Sequence, residues 1–352
     1  MSSMKNCEII EKLYKTQSAD FDEILTLLRD YDIEPIRQML FEKSAEVTEK
    51  HFQKKIYIRG LIEYSNICKN DCYYCGIRRS NENAVRYRLT KDEIYTSCEN
   101  GYRLGFRTFV LQGGEDGFFN DELVCEIISE IKRRYPECAV TLSMGEKSYD
   151  SYKSFYNCGA DRYLLRHESI NRTHYSMLHP KELSIEKRVE CLKALKEIGY
   201  QTGCGFMVGS PYQTMENIAE DIMFIKDFKP HMIGVGPFIS HKDTPFKSFG
   251  NGSYRLTVFI LGILRLMNPN ALIPATTALN SISKSGRTEG LKAGANVIMP
   301  NLSPVDVRDK YSLYNGKLST GIEGGESIFA LQEEVKKAGF EISFERGDYK
   351  EK

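Results

Sequence analysis

Hydrophobic and polar positions repeat along this chain in one short unit: an amphipathic stretch, a glycine, then a run of apolar residues. It appears at Leu104-Gly105-Phe106, Cys158-Gly159-Ala160, Ile198-Gly199-Tyr200 and Ala293-Gly294-Ala295, each leading into a strand-like segment. A glycine at that place suits a helix C-terminus, where the backbone turns through a left-handed conformation before the next strand. Strand candidates fall at 57–66, 108–113, 139–143, 162–168, 202–208, 232–238, 272–278 and 296–301. Helices alternating with buried strands imply parallel pairing and right-handed crossovers. Eight such strands predict an α/β fold, a (β/α)8 TIM barrel; the absence of a G-x-G-x-x-G turn speaks against the open doubly wound sheet that competes with it.

Start signals support the helices. Thr90-Lys-Asp-Glu93 reads as a capping box, and Ser184 precedes an amphipathic run over 185–198. Residues 1–55 form a helix-rich N-terminal extension, expected outside the barrel and over its bottom. The barrel itself is expected over 56–320, and 321–352 should form a short C-terminal helix and tail.

Composition narrows the function classes. The chain has 352 residues, with Lys plus Arg equal to Asp plus Glu at 48 each. Zero net charge gives no reason to expect nucleic acid or an anionic membrane as partner. The N-terminus lacks the apolar core of a signal peptide, and the most apolar segment, 257–267, is short and carries Arg265. A cytoplasmic protein with reduced thiols is expected, so most of the ten cysteines read as small apolar residues.

Three of the ten differ. Cys68-Lys-Asn-Asp-Cys72-Tyr-Tyr-Cys75 follows the first strand with the spacing C-x3-C-x2-C. A structural zinc site takes four protein ligands, and an electron-transfer cubane normally takes four cysteines. Three clustered thiolates leave one iron of a four-iron cluster open to a small molecule. The alternative is a zinc knuckle completed by Cys98 or Cys204, although no second C-x2-C pair and no histidine at finger spacing is present.

The C-terminal ends of the strands, where barrel chemistry belongs, are polar. They carry Gln112-Gly113-Gly114-Glu115, Ser143, Arg166-His167-Glu168, Ser240-His241, Thr276-Thr277 and Asn301. Glycines let a ligand approach the backbone, and Glu115 is placed to hold an ammonium group; a plain turn is the other reading. Glu168 suits a pair of ligand hydroxyls or, alternatively, a salt bridge to Arg166 or Arg188. Arg188 suits a carboxylate, the other reading being an exposed helical arginine. The stretch from Gly205 through Met207 to Thr214 offers apolar surface for a flat ring or is simply a buried strand. His167, His174, His179 and His241 read as surface or packing residues, with His241 on a loop over the mouth.

The cysteine spacing, with an aromatic Tyr74 before the third cysteine, resembles the radical S-adenosylmethionine (SAM) enzymes. Longer runs resemble one family among them, the HydE-type maturases of FeFe-hydrogenase in the biotin-synthase-like group. These are Tyr57-Ile-Arg59-Gly-Leu-Ile-Glu63, Leu111-Gln-Gly-Gly-Glu-Asp116, Tyr163-Leu-Leu-Arg166-His167-Glu168, Gly234-Val-Gly-Pro-Phe-Ile-Ser-His241, Ile273-Pro-Ala-Thr276-Thr277 and Gly294-Ala-Asn-Val-Ile-Met-Pro-Asn301. Methylornithine synthase and biotin synthase are the nearest alternatives.

The resemblance implies a 4Fe-4S cluster on Cys68, Cys72 and Cys75 and cleavage of SAM to a 5′-deoxyadenosyl radical. It implies SAM contacts from Tyr74, Gly113, Gly114, Glu115, Arg166, Glu168, Arg188 and Met207. The implied substrate is a small organometallic iron–cysteine species met by Arg59, Gln112, Ser143, Thr276, Thr277, Tyr311 and Tyr314. Other hydrogenase maturases and a reducing electron donor are the implied partners. The chain departs from the family twice. Ser319, Ser327 and Ala330 stand where some relatives carry cysteines for an accessory cluster, which implies one cluster only. Gly113 replaces a serine of some relatives, which implies one hydroxyl contact fewer.

Overall fold

A computed structural model, describing residues 2–318 and 325–351, closes the eight expected strands into a parallel ring. The first barrel strand is β1 (Lys55–Ile58) continued by β2 (Gly60–Ser65). It is followed by β3 (Thr108–Gly113), β4 (Ala139–Ser143), β5 (Arg162–Leu164), β6 (Gln201–Cys204) with β7 (Met207–Val208), and β8 (Met232–Ile233) with β9 (Gly236–Pro237). The seventh position is held only by the bridges Met232↔Leu272 and Pro274↔Val297. The eighth, β10 (Val297–Ile298), returns to β1, and Leu61↔Asn301 completes the closure. The open sheet is thereby excluded.

Outside the ring lie α4 (Lys91–Arg103), α5 (Asp121–Arg134), α6 (Tyr149–Asn157), α7 (Arg172–Leu178), α8 (Ile185–Ile198) and α9 (Met215–Phe228), after the N-terminal α1 (Ser2–Thr16), α2 (Phe21–Arg29) and α3 (Glu34–Phe52). They continue with α10 (Tyr254–Met267), α11 (Thr277–Ile282), α12 (Gly286–Lys292), α13 (Val305–Arg308) and α14 (Gly325–Lys337). Thr90 forms the capping box of α4, and Ser184 caps α8 by accepting the Lys187 amide. Gly105, Gly159, Gly199 and Gly294 all have positive φ, between 96° and 113°. The repeating unit is therefore the helix-to-strand turn of the barrel.

The N-terminal helices pack on the side of the ring, α2 against α9 and both α1 and α3 against α10. They do not cover its bottom. That place is taken by the other end of the chain: β11 (Glu341–Ser343) pairs parallel with β1, and residues 346–349 cross the N-terminal ends of the strands. Arg162 is fully buried there and donates to Thr108, to the carbonyls of Arg346 and Gly347, and to Asp348 at 2.7 Å.

Arg59 belongs to the same layer. Its guanidinium faces Met232 Sδ at 3.0 Å and the Gly347 carbonyl at 3.5 Å. The expectation that Arg59 meets the substrate is corrected: it sits where pairing switches between β1 and β2, at the bottom of the ring. The apolar α10 is core, and its Arg265 is buried with bonds to the Gly294 and Ala271 carbonyls. Among the described residues no helix is long and apolar enough to cross a membrane.

Candidate functional site

The C-terminal ends of the strands enclose a cavity of about 300 Å³. Cys68, Cys72 and Cys75 line one wall, from the loop that follows β2. That loop is stapled by Arg86, which donates to the carbonyls of Asn66, Ile77, Arg78 and Asn81, on both sides of the cysteines. Asp71 inside it accepts two bonds from Arg78, which hold its carboxyl well below the usual carboxylate range. Charge-assisted, bidentate bonds of this kind are roughly twice as strong as neutral ones and fix the loop's geometry. Asp71, Arg78 and Arg86 went unnoticed in the sequence because they follow no periodicity.

Burial pushes all three cluster thiols up, Cys75 to about 12. A bound cation favours the thiolate form and so offsets that penalty. The Glu115 amide donates to Cys68 Sγ at 3.4 Å, a contact suited to a thiolate. Among the described residues no three His, Cys, Asp or Glu side chains converge as ligands of a single metal ion do. Cys98 and Cys204 are buried in α4 and β6. Neither lines the cavity with Cys68, Cys72 and Cys75, so the fourth ligand that a zinc knuckle would take from them is not at the site, and three thiols sharing one wall fit a cluster with an open iron.

The other walls carry most of the residues singled out in the sequence. Gly113 ends β3 and Gly114 and Glu115 follow it, and Arg166 and Glu168 follow β5; Arg188 reaches in from the first turn of α8, and Met207 lies on β7. Gly114 lies against the cluster loop, where an added Cβ would stand 2.2 Å from the Ile67 carbonyl. At Gly113 a Cβ would stand 2.4 Å from the Tyr64 ring, so a serine fits only if that ring moves. Gln112 and Ser143 are register partners on β3 and β4 and share the cavity with Thr276, Tyr311 and Tyr314. Thr277 does not join them. As the first residue of α11 it faces a neighbouring recess with Glu63, Asn301 and Lys317.

Polar atoms remain unsatisfied at this surface. Arg188 is only 8% exposed, which removes the exposed-helix reading, and its Nε lies 2.6 Å from Glu146 Oε1. Arg166 Nη2 lies 3.0 Å from Glu168 Oε2, but neither atom, nor Arg166 Nε, has an aligned hydrogen bond. The Thr276 hydroxyl has none either. Buried groups of this kind are normally satisfied, and a cavity lined by exceptions is set for a polar ligand. Glu115 accepts the Glu146 amide and meets Lys69 at 3.1 Å.

All four histidines read as surface or packing residues are buried and lie off the cavity lining. His179 nevertheless touches the site. Its Nδ1 donates to the Tyr175 carbonyl at 2.9 Å, so Nε2 accepts the Tyr74 hydroxyl at 3.2 Å. Burial pushes His179 down to about 3, which keeps it a neutral acceptor. His241 lies under the strap that carries Tyr311 and Tyr314, near Ser312.

Residues 62–225 match the family described as the Radical SAM superfamily. The chain is 41% identical over 315 residues, 90% of its length and 89% of the relative's, to the FeFe hydrogenase maturase subunit HydE of Thermotoga maritima. It is 27% identical to the 3-methylornithine synthase of Methanosarcina acetivorans, over 79% of this chain and 78% of that one. Among solved structures, methylornithine synthase (PylB) superposes with a TM-score of 0.83 at 24% identity, covering 95% of this chain and 97% of that one. At that identity the likeness concerns the fold.

Proposed function

The chain belongs to the HydE family of FeFe-hydrogenase maturases within the radical SAM superfamily, and we infer from its cavity how its residues serve that family's reaction. It is a radical SAM enzyme that acts in assembly of the hydrogenase active-site cluster. The 4Fe-4S cluster, when bound, supplies the electron that splits SAM into methionine and a 5′-deoxyadenosyl radical.

Cys68, Cys72 and Cys75 would hold that cluster. Arg188, buried and cationic, takes the SAM carboxylate, while Glu115 and the backbone at Gly113 and Gly114 take its amino group. Glu168 takes the ribose hydroxyls beside Arg166, and Tyr74 and Met207 flank the adenine. Gln112, Ser143, Thr276, Tyr311 and Tyr314 line the remaining space, where we place a small organometallic iron–cysteine substrate. An enclosed barrel mouth protects a primary-carbon radical from water and stray hydrogen donors. The observation carrying this reading is that three clustered cysteines and unsatisfied Arg166, Glu168 and Thr276 atoms share one cavity.

We further propose a single cluster per chain, since Ser327 and Ala330 of α14 offer no thiolate and the chain has no cysteine beyond Cys204. Ser319 lies outside the described residues. A cytoplasmic setting, a reducing electron donor and other maturases as partners complete the reading; nucleic acid and membranes are not among them. The test is maturation of apo-hydrogenase in a defined mixture of maturases with and without this protein. Hydrogenase activity that depends on it, with about four irons per chain, supports the reading. Full activity without it, or formation of 3-methylornithine by the purified protein, overturns the assignment.

A further inference from the structure

Glu168 has a φ of 64°, a left-handed backbone that a non-glycine residue holds only when its surroundings enforce it. The enforcement is visible beneath it. The Glu168 amide donates to the Gly205 carbonyl at 3.1 Å, and the Ser169 amide donates to the His167 carbonyl at 2.8 Å. Asp221 Oδ1 then meets the chain on both sides of Glu168: it accepts the Ile170 amide at 2.6 Å and lies 3.2 Å from His167 Nε2, a close polar contact without an aligned hydrogen bond. His167 Nδ1 accepts the Gly205 amide at 3.3 Å, which leaves the ring proton on Nε2, facing Asp221.

His167, Ser169 and Asp221 are all fully buried, and none lines the cavity. Asp221 stands on the inward face of α9 among Ile218, Ala219, Ile222 and Ile225. A carboxylate on an apolar helix face is costly, and packing alone would favour another aliphatic residue there.

We propose that Asp221 and His167 are positioning residues for SAM, holding Glu168 in the left-handed turn that aims its carboxylate into the cavity. This rests on the reading of Glu168 as a SAM contact. Without the clamp the backbone at Glu168 relaxes to negative φ and the carboxylate leaves the cavity wall, while the cluster loop on another strand end is untouched.

The test uses the full chain with its cluster reconstituted, following iron content, the KM for SAM and kcat for 5′-deoxyadenosine formation. Asp221→Leu is expected to raise KM about tenfold or more with kcat at saturation and iron content nearly unchanged. Asp221→Asn keeps an Oδ1 for both contacts and is expected to restore a near-native KM. In a Glu168→Ala background, adding Asp221→Leu should cause no further loss, because both changes remove one interaction. If Asp221→Leu does not fold, His167→Gln takes its place with the same expected pattern.

Additive losses, or an unchanged KM in the clamp variants while Glu168→Ala is impaired, overturn the clamp and leave the reading of Glu168 standing. An unchanged KM in Glu168→Ala itself overturns both, and the two failures are thereby distinguished.

Discussion

Arg162 opens β5 and Arg166 lies just past its end, four residues on, in opposite states of satisfaction. Every nitrogen of Arg162 is bonded, Nε to Gln201, Nη1 to Thr108 and Nη2 to three acceptors of the C-terminal tail. At Arg166, Nε and Nη2 have no hydrogen bond, and the nearby Glu168 Oε2 has none. The chain closes the bottom of its barrel with its own tail and leaves the top incomplete. The two arginines thus differ: Arg162, fully buried, locks the fold, whereas Arg166, 32% exposed at the cavity, keeps nitrogens free of hydrogen bonds, as the reading proposed above requires of a ligand contact.

Breaking the top should abolish function and leave the fold intact. Cys72→Ala is expected to lose the cluster and all SAM cleavage, read by iron content and 5′-deoxyadenosine, with the thermal midpoint of the metal-free protein unchanged. Retained cluster would contradict the placement. Breaking the bottom should do the reverse. Removing residues 345–352 strips Arg162 of Asp348 and two carbonyls, and orphaning one buried charge costs about 3–5 kcal/mol. Calorimetry should show that loss as a lower thermal midpoint, while SAM affinity of the folded fraction stays put.

Smaller changes sharpen the contrast. Arg188→Ala removes one charge-assisted contact, worth roughly 1.5–3 kcal/mol, so SAM should bind about one to two orders of magnitude more weakly with cluster content intact. Unchanged affinity in equilibrium dialysis would return Arg188 to a structural role. Arg59→Met should leave SAM cleavage and substrate turnover unchanged and stability equal or slightly higher, because Arg59 Nε has no partner and its neighbour is the Met232 thioether.

The smallest effect is a pH dependence at the bottom. Burial acts to raise the Asp348 carboxyl, but Arg162, with the Gln201 hydrogen bond and the charge of Arg346, outweighs it and holds it below the usual value. A carboxyl depressed on folding stabilises above its unfolded pKa, near 4 as an order-of-magnitude value, and loses that contribution as pH falls through the folded one. The gap in thermal midpoint between the native chain and Asp348→Asn should therefore narrow on acidification.

The top of the barrel was far more legible in the sequence than the bottom. Cys68, Cys72 and Cys75 have a spacing, and Gln112, Ser143, Arg166 and Thr276 follow apolar runs whose ends can be counted. Local order carries that information. The tail plug depends on residues separated by nearly two hundred positions, such as Arg162 and Asp348, and no local pattern joins them. Arg59 was misplaced for a related reason: it lies within a continuous strand-like run, yet pairing switches there, so counting from the strand's end puts it at the wrong level. Thr277 was misread because the seventh strand stops at Pro274 and α11 begins at Thr277 itself, turning its side chain to the next recess. Asp221 and His167 act through Glu168, and only the fold brings α9 beneath that turn.

The most direct test of the cavity as the site of SAM cleavage is one anaerobic incubation. Protein reconstituted with iron and sulfide is reduced with dithionite, mixed with SAM and assayed for 5′-deoxyadenosine and methionine. The arrangement predicts both products in equal amounts, dependent on the reductant and absent from the Cys72→Ala protein. A fully loaded cluster that yields neither product would contradict it.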